Sequence, residues 1–222
     1  MQFPLIEKGT LETQMYQVLR TLILEGRLAG GERLVQDELA AKFGTSRIPV
    51  RDALKKLEHD SLVRLDGHGS YVVNSFGIED LQEIYDLRAL LESYAVVKVV
   101  TKLTDDDLVE LEKLVDGMNQ AGHAHDIERY VQLNQVFHMQ LYEVGKEPRL
   151  LRMIKNLWSL SGVPKYTPAT IPGQLEHSIV EHQMLLKALK DRDASAAEVA
   201  IRTHIQNAGA LLLTHLQQKK NE

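Results

Sequence analysis

Between Gln36 and Val73 the apolar period changes once, from helical to alternating, and no alternating run returns anywhere later in the chain. That single switch confines β-structure to one short stretch and leaves the rest to helices. Upstream, Leu11, Met15, Val18/Leu19 and Leu22 recur at helical spacing, so a helix is expected over Leu11–Gly26. Gly26 and the Gly30-Gly31 pair end it. A short helix follows from about Gln36 to Phe43, with Leu39, Ala40 and Phe43 inward and Gly44 at its left-handed end. A third helix starts almost at once. Thr45 or Ser46 can cap it, and Pro49 falls in the first turn, where its missing N–H does no harm. Its inward face is Val50, Ala53/Leu54 and Leu57. Then Leu62–Leu65 and Tyr71–Val73 read as short strands around Asp66-Gly67-His68-Gly69-Ser70, a hairpin signal. Helix, short helix, tight turn, helix and hairpin is the order of a winged helix-turn-helix.

Asn74–Gly77 reads as a linker, and the expected boundaries are 1–75 for the winged unit and 76–222 for an all-helical domain. Helices are expected near Glu79–Lys102, Asp105–Ala121, Asp126–Val144, Pro148–Ser161, Gln174–Lys190 and Ala194–Gln218. Gly162–Gly173, with three of the six prolines, is expected as a long connection. The fold class is therefore mainly α: three helices and a β-hairpin wing, followed by an all-α bundle. With 44% hydrophobic residues the chain has material for a real core, which excludes global disorder. No apolar run approaches the roughly 18 residues of a membrane helix, so no membrane partner is expected. The first ten residues lack a basic stretch followed by an apolar one, so a cytoplasmic protein is expected. The absence of cysteine excludes disulfides, thiolate metal sites and cysteine nucleophiles.

A net charge of −5 argues by itself against a nucleic-acid binder. Its distribution argues the other way. Residues 1–75 carry ten basic and ten acidic groups, and residues 40–64 carry six basic against three acidic, so a small basic patch lies on an acidic molecule. On the third helix Arg47, Arg51 and Lys55 are spaced i, i+4, i+8, opposite Val50, Leu54 and Leu57. Such a stripe is compatible with a merely solvated helix face. In a helix-turn-helix with a wing, the same stripe is placed for the major groove, where arginine pairs with guanine or holds phosphate. Ser46 and the unpaired N–H groups at the helix start suit a phosphate. Gly67, His68 and Gly69 give the wing tip little bulk for approaching the minor groove or backbone.

The helical half places polar residues in apolar stripes. Asn134 and His138 share the stripe of Tyr130, Phe137 and Leu141; His182 falls among Leu175, Ile179, Leu186 and Leu189. His204 falls among Ala197, Ile201, Ala208 and Leu211, and Arg88 among Leu81, Ile84, Leu91 and Ala95. One inward histidine is ordinarily a satisfied core residue. Three on different helices are also what a bundle uses to build a metal site, although spacing does not say which helices meet. Glu92, one turn beyond Arg88, is its simplest partner. His177 stands near a helix start, while His123 and His125 fit a solvated loop and His59 and His215 fit surface or packing positions. Tyr94, Trp158 and Tyr166 are candidates for lining a pocket.

The stretch Gly31–Glu58 resembles the DNA-binding domain of GntR-family bacterial transcription regulators. It carries Ser46-Arg47-Ile48-Pro49-Val50-Arg51-Asp52-Ala53-Leu54 and, in the wing, Gly67-His68-Gly69-Ser70-Tyr71-Val72. The resemblance implies base and phosphate contacts by Ser46, Arg47 and Arg51, wing contacts near Gly67–Gly69, and a further DNA contact at Arg33. Ser61 departs from the glycine the family commonly has after the third helix. The half from about Asp80 to His215 is similar to the FCD effector domain of the FadR subfamily. Its markers are Tyr85-Asp-Leu-Arg88, Leu91-Glu92, Asn134-Gln-Val-Phe-His138, Glu181-His182, Asp193 and Arg202-Thr-His204-Ile205. Its length resembles the six-helix, VanR-like form.

That resemblance implies a divalent metal of the Zn, Ni or Mn class held by Asn134, His138, His182 and His204. Asn134 replaces the family's frequent aspartate, so three imidazoles and an amide would leave the ion's charge uncompensated. Metal affinity is then expected to fall and attraction for an anion to rise, with Arg88 as an effector-binding cation. A one-component regulator follows: double-stranded operator DNA at one end, a small organic acid at the other, and a homodimer reading a two-fold operator. Two alternatives are a metal-dependent enzyme and a helical scaffold with purely structural histidines. No inward carboxylate stands at an evident general-base position, so the enzyme reading is set aside and no catalytic residue is expected.

Overall fold

The computed structural model describes residues 11–67, 69–161, 171 and 174–220. The wing-tip contact expected of His68, the place of Tyr166 and, apart from Ile171, the connection 162–173 lie outside them. The described residues form two compact units that divide between Phe76 and Gly77.

The N-terminal unit contains α1 (Leu11–Leu24), β1 (Arg33–Leu34), α2 (Gln36–Phe43), α3 (Arg47–His59), β2 (Val63–Leu65) and β3 (Tyr71–Val73). The buried stripe of α1 is Met15, Leu19 and Ile23, whereas Leu11 and Val18 are about half exposed. Met15 and Leu19 are where helical spacing places them, while Ile23 rather than Leu22 completes the stripe, because both faces of α1 offer apolar side chains. Gly44 ends α2 at φ 62°, a conformation that glycine adopts without a Cβ clash, and its N–H returns to the last turn. Ser46 is the N-cap of α3 in extended conformation, but its hydroxyl makes no capping bond and remains available. Val50, Ala53, Leu54 and Leu57 are wholly buried beneath α3.

The sheet has three strands in the order β1-β3-β2, all antiparallel, with Arg33 opposite Val72 and Arg64 opposite Val72 on the other side. The sequence reading expected two strands. The third, β1, is only two residues long and carries no period of its own, so pairing with β3 alone defines it. At the wing, Asp66 accepts from the Ser70 N–H at 2.7 Å, and Gly69 takes φ 82°.

Ser61, directly after α3, has φ 58°. A serine Cβ is strained there, which explains why glycine suits this place. Ser61→Gly is expected to raise stability by roughly 0.5–1 kcal/mol, the relief of strain less the added unfolded-state entropy. An unchanged or lower denaturant midpoint would contradict that.

The second unit holds six helices among the described residues: α4 (Ile78–Val100), α5 (Asp105–His123), α6 (Ile127–Val144), α7 (Pro148–Ser161), α8 (Gln174–Lys190) and α9 (Ala194–Lys220). Their starts are set by local carboxylates and hydroxyls. Thr104 and Asp107 form a reciprocal capping box at α5, Asp126 caps α6 through the Arg129 N–H, and Asp193 caps α9 through the Ala196 N–H. Helix α4 packs against α9, α7 and α6, while α5 packs against α6 and α8, and α8 against α9. Helix α9 passes close to α4 at Gly209, where an added Cβ would lie 2.8 Å from the Tyr85 ring. Phe137, Leu141, Ile154, Leu189 and Ile201 are completely buried in the core. No helix among the described residues is long and apolar enough to cross a membrane.

Candidate DNA-reading helix and histidine centre

In the N-terminal unit, α3 shows Arg47, Ile48, Arg51 and Lys55 to solvent while its opposite face is sealed. Arg47 Nε meets Asp37 of α2 at 2.8 Å, and Arg51 Nε meets Asp52 at 3.1 Å. Both pairs are substantially exposed, so water screens them and a phosphate can displace them at little cost. Arg33 donates to the Ser70 hydroxyl at 3.0 Å and lies 3.3 Å from Asp66, which ties β1 to the wing. Ile48 is 62% exposed at the start of α3. The sequence reading passed over it. An exposed isoleucine beside two arginines would suit a thymine methyl group were this face to meet a groove, and its place in the first turn outside the inward stripe was the available signal.

In the helical unit the three inward histidines meet. The candidate ligand atoms of His138 on α6, His182 on α8 and His204 on α9 all lie within 4.8 Å of one another. His138 Nε2 and His182 Nε2 are 3.2 Å apart. His138 and His204 stack at 5.2 Å, and the edge of Phe137 approaches both His138 and His182. Asn134 stands one turn before His138 on the same helix and is half-buried.

Each ring is held by its other nitrogen. His182 Nδ1 donates to the Ser178 carbonyl at 2.6 Å, and His204 Nδ1 donates to Glu181 at 2.7 Å. Neither acceptor can donate in return while Glu181 is ionised, so each Nδ1 carries a proton, and the lone pair of a neutral ring is then on Nε2. Burial would raise the Glu181 carboxyl, but hydrogen bonds from His204 and Asn207 outweigh it and hold it below the usual range. His177, more than half exposed, also reaches Glu181 at 3.1 Å. Burial, reinforced by the neighbouring His204, pushes His182 down to about 3. Burial and then the other two histidines push His138 well below its ordinary value. These rings are therefore neutral near pH 7, the form that binds metals.

Such a donor set fits a divalent ion. Two nitrogens bound to one ion at about 2.1 Å lie roughly 3.0–3.4 Å apart, and the His138–His182 separation falls in that range.

Arg88 and Glu92 are both buried, and Arg88 Nε donates to Glu92 at 2.9 Å. Its guanidinium lies 4.3 Å from the centre of the Trp158 ring and 5.0 Å from that of Tyr85, with Nη1 3.3 Å from the Ser161 hydroxyl. Of the two partners the sequence left open for Arg88, the structure forms the pair with Glu92. Glu92 also accepts from Trp158 Nε1 at 3.0 Å and from the Tyr142 hydroxyl at 2.5 Å, and Tyr142 reaches His138 Nδ1 at 3.1 Å. Two buried carboxylates thus stand behind the histidines, Glu92 one residue removed through Tyr142 and Glu181 directly on His204. Both carboxylates are engaged in holding other side chains, Glu92 the Tyr142 hydroxyl and Glu181 the His204 Nδ1. Tyr94 is more than half exposed on α4.

Comparison with known proteins assigns both halves. Residues 83–207 match the FCD domain family, and residues 11–73 match the bacterial regulatory proteins of the gntR family. The chain belongs to the GntR family, with an FCD domain. It is 31% identical over 205 residues to the HTH-type transcriptional regulator McbR of Escherichia coli, covering 91% of this chain and 93% of that one. A solved structure of E. coli McbR superposes with a TM-score of 0.77 at 30% identity, over 93% of this chain and 99% of the other. The gluconate operon transcriptional repressor of Bacillus licheniformis is 25% identical over 79% of this chain and 74% of its own length. The GntR-family chain is accordingly a transcriptional regulator, and its family and relatives are regulators rather than enzymes.

Proposed function

We propose that this regulator binds a two-fold operator as a homodimer and that a small carboxylate, held at a metal in the FCD domain, changes its DNA affinity. Residues 1–75 form the DNA-binding domain in this reading. Arg47, Arg51 and Lys55 enter the major groove from α3, Ser46 and Arg33 hold phosphates, and Gly67, His68 and Gly69 bring the wing to the backbone. Residues 76–222 bind the effector and dimerise. His138, His182 and His204, with Asn134, hold a divalent ion of the Zn, Ni or Mn class, which supplies a positive charge with open positions for an acid. Arg88 contributes hydrogen bonds rather than free charge, because Glu92 already matches it. The effector then shifts the population between arrangements of the two recognition helices.

The observation that carries this reading is the convergence of three buried imidazoles from three helices, in a chain whose first unit shows a basic helix face. The test is thermal unfolding of the full chain against a panel of small carboxylates, with and without a chelator. Gluconate heads the panel because a relative is named for its operon. One acid at a hundred times its Kd is expected to stabilise the folded state by about 2.7 kcal/mol. The chelator is expected to abolish that gain. A gain that survives the chelator would separate acid binding from the metal, and no gain from any acid would overturn the effector reading.

A further inference from the structure

His182 and His204 have their tautomers fixed by groups that only accept, a backbone carbonyl and a carboxylate. His138 is different. Its Nδ1 meets a hydroxyl, which is able to donate or accept. The hydroxyl's other neighbour decides which it does.

Tyr142 Oη lies 2.5 Å from Glu92 Oε2. Glu92 has no exposed surface, and its Oε1 is occupied by two N–H donors, Arg88 Nε and Trp158 Nε1. Among the described residues, Oε2 is thus left for the phenol alone. A phenol ordinarily keeps its proton at neutral pH, and this one stands at hydrogen-bond distance from a buried carboxylate oxygen that can only accept. That single proton goes to Glu92, and only lone pairs remain to face the imidazole.

We propose that Tyr142 is a positioning residue: anchored by Glu92, its hydroxyl fixes His138 as the Nδ1–H tautomer and so turns the Nε2 lone pair into the histidine cluster. With that, all three imidazoles present the same atom inward, each secured by a different kind of acceptor. The consequence for affinity rests on the cluster being a metal site, whereas the tautomer assignment does not. Without the hydroxyl, His138 has a competing choice. As the Nε2–H tautomer it donates to His182 Nε2 at 3.2 Å, and that hydrogen bond removes two ligand atoms at once.

The experiment uses the metal-free full chain with ring-15N-labelled histidine. Long-range 1H–15N spectra read each tautomer, and His138→Gln assigns the His138 signals. Wild type is expected to show His138 protonated on Nδ1. Tyr142→Phe, which keeps the packed ring and removes one oxygen, is expected to lose that tautomer in favour of Nε2–H. Zinc affinity, read by chelator competition, is expected to fall roughly 10–100-fold in the same variant. Wild-type His138 protonated on Nε2, or a Tyr142→Phe protein that keeps the wild-type tautomer, would overturn the proposal, whatever the zinc affinity does. A wild type that binds no zinc refutes the metal reading, while the spectra still decide the role of Tyr142. If Tyr142→Phe does not fold, Glu92→Gln gives the same reading. Arg88 and Trp158 hold the amide oxygen, so the amide N–H faces Tyr142 and releases the phenol proton toward Nδ1. His138 is then expected to become Nε2–H, and an unchanged tautomer counts against the proposal.

Discussion

Replacing Arg47 and Arg51 together by alanine is expected to weaken operator binding by roughly a hundred-fold or more, because each bidentate arginine contributes about 1–3 kcal/mol. A dimer loses each contact twice. The variant should keep its thermal stability, since both arginines pair only with exposed carboxylates, Asp37 and Asp52, and such pairs contribute little. The buried face of α3 is untouched by the change. A gel-shift titration at fixed salt measures the effect, and its repetition at several salt concentrations adds a second reading. The slope of log K against log salt should become shallower as phosphate contacts are lost. A double variant that binds operator like wild type would remove α3 from the interface.

The second large effect concerns the histidines. If the ion is bound at a thousand times its Kd, removing it costs about 4 kcal/mol. In a chain of this size that corresponds to a melting temperature lower by roughly 8–16 °C. A chelator should therefore destabilise wild type strongly and leave His138→Ala or His182→Ala unaffected. Trp158 gives an independent signal. It is the chain's single tryptophan, its ring lies 5.2 Å from that of His138, and its N–H is bonded to Glu92. Titration of metal-free protein with Ni²⁺ should quench its emission in wild type and not in the histidine variants. Equal responses to chelator in wild type and variants would show that the cluster holds no metal.

Much of the fold was legible because its elements announce their own ends. Pro148 opens α7, Asp193 caps α9, and Gly44 closes α2, each by a local preference that needs no tertiary information. The inward histidines were legible for the same reason, since helical spacing alone places a residue on the apolar face. What the sequence could not supply is which elements meet. The pairing of β1 with β3, the contact from Tyr142 to Glu92 fifty residues away and the seat of His204 on Glu181 all depend on that. Even so, local hints existed. Tyr142 lies one turn beyond His138, and Glu92 one turn beyond Arg88, so each half of the relay is written as an i, i+4 pair. The link between the halves is tertiary. Ser61 departs from the family's glycine, and the structure supplies the reason that glycine is common there, a left-handed φ of 58°.

The placement of the three histidines on α6, α8 and α9 has a mechanical side. His138 and His182 are 44 residues apart in the chain, and His204 follows on a third helix. An ion shared by these rings closes two long loops, and in the unfolded chain closing such loops carries a large entropic cost. It would do for a chain without cysteine what a disulfide does elsewhere. Unlike a disulfide, such a staple would open by ligand exchange and need no electron transfer, so a bound ion would let the bundle be tightened or released as metal supply changes.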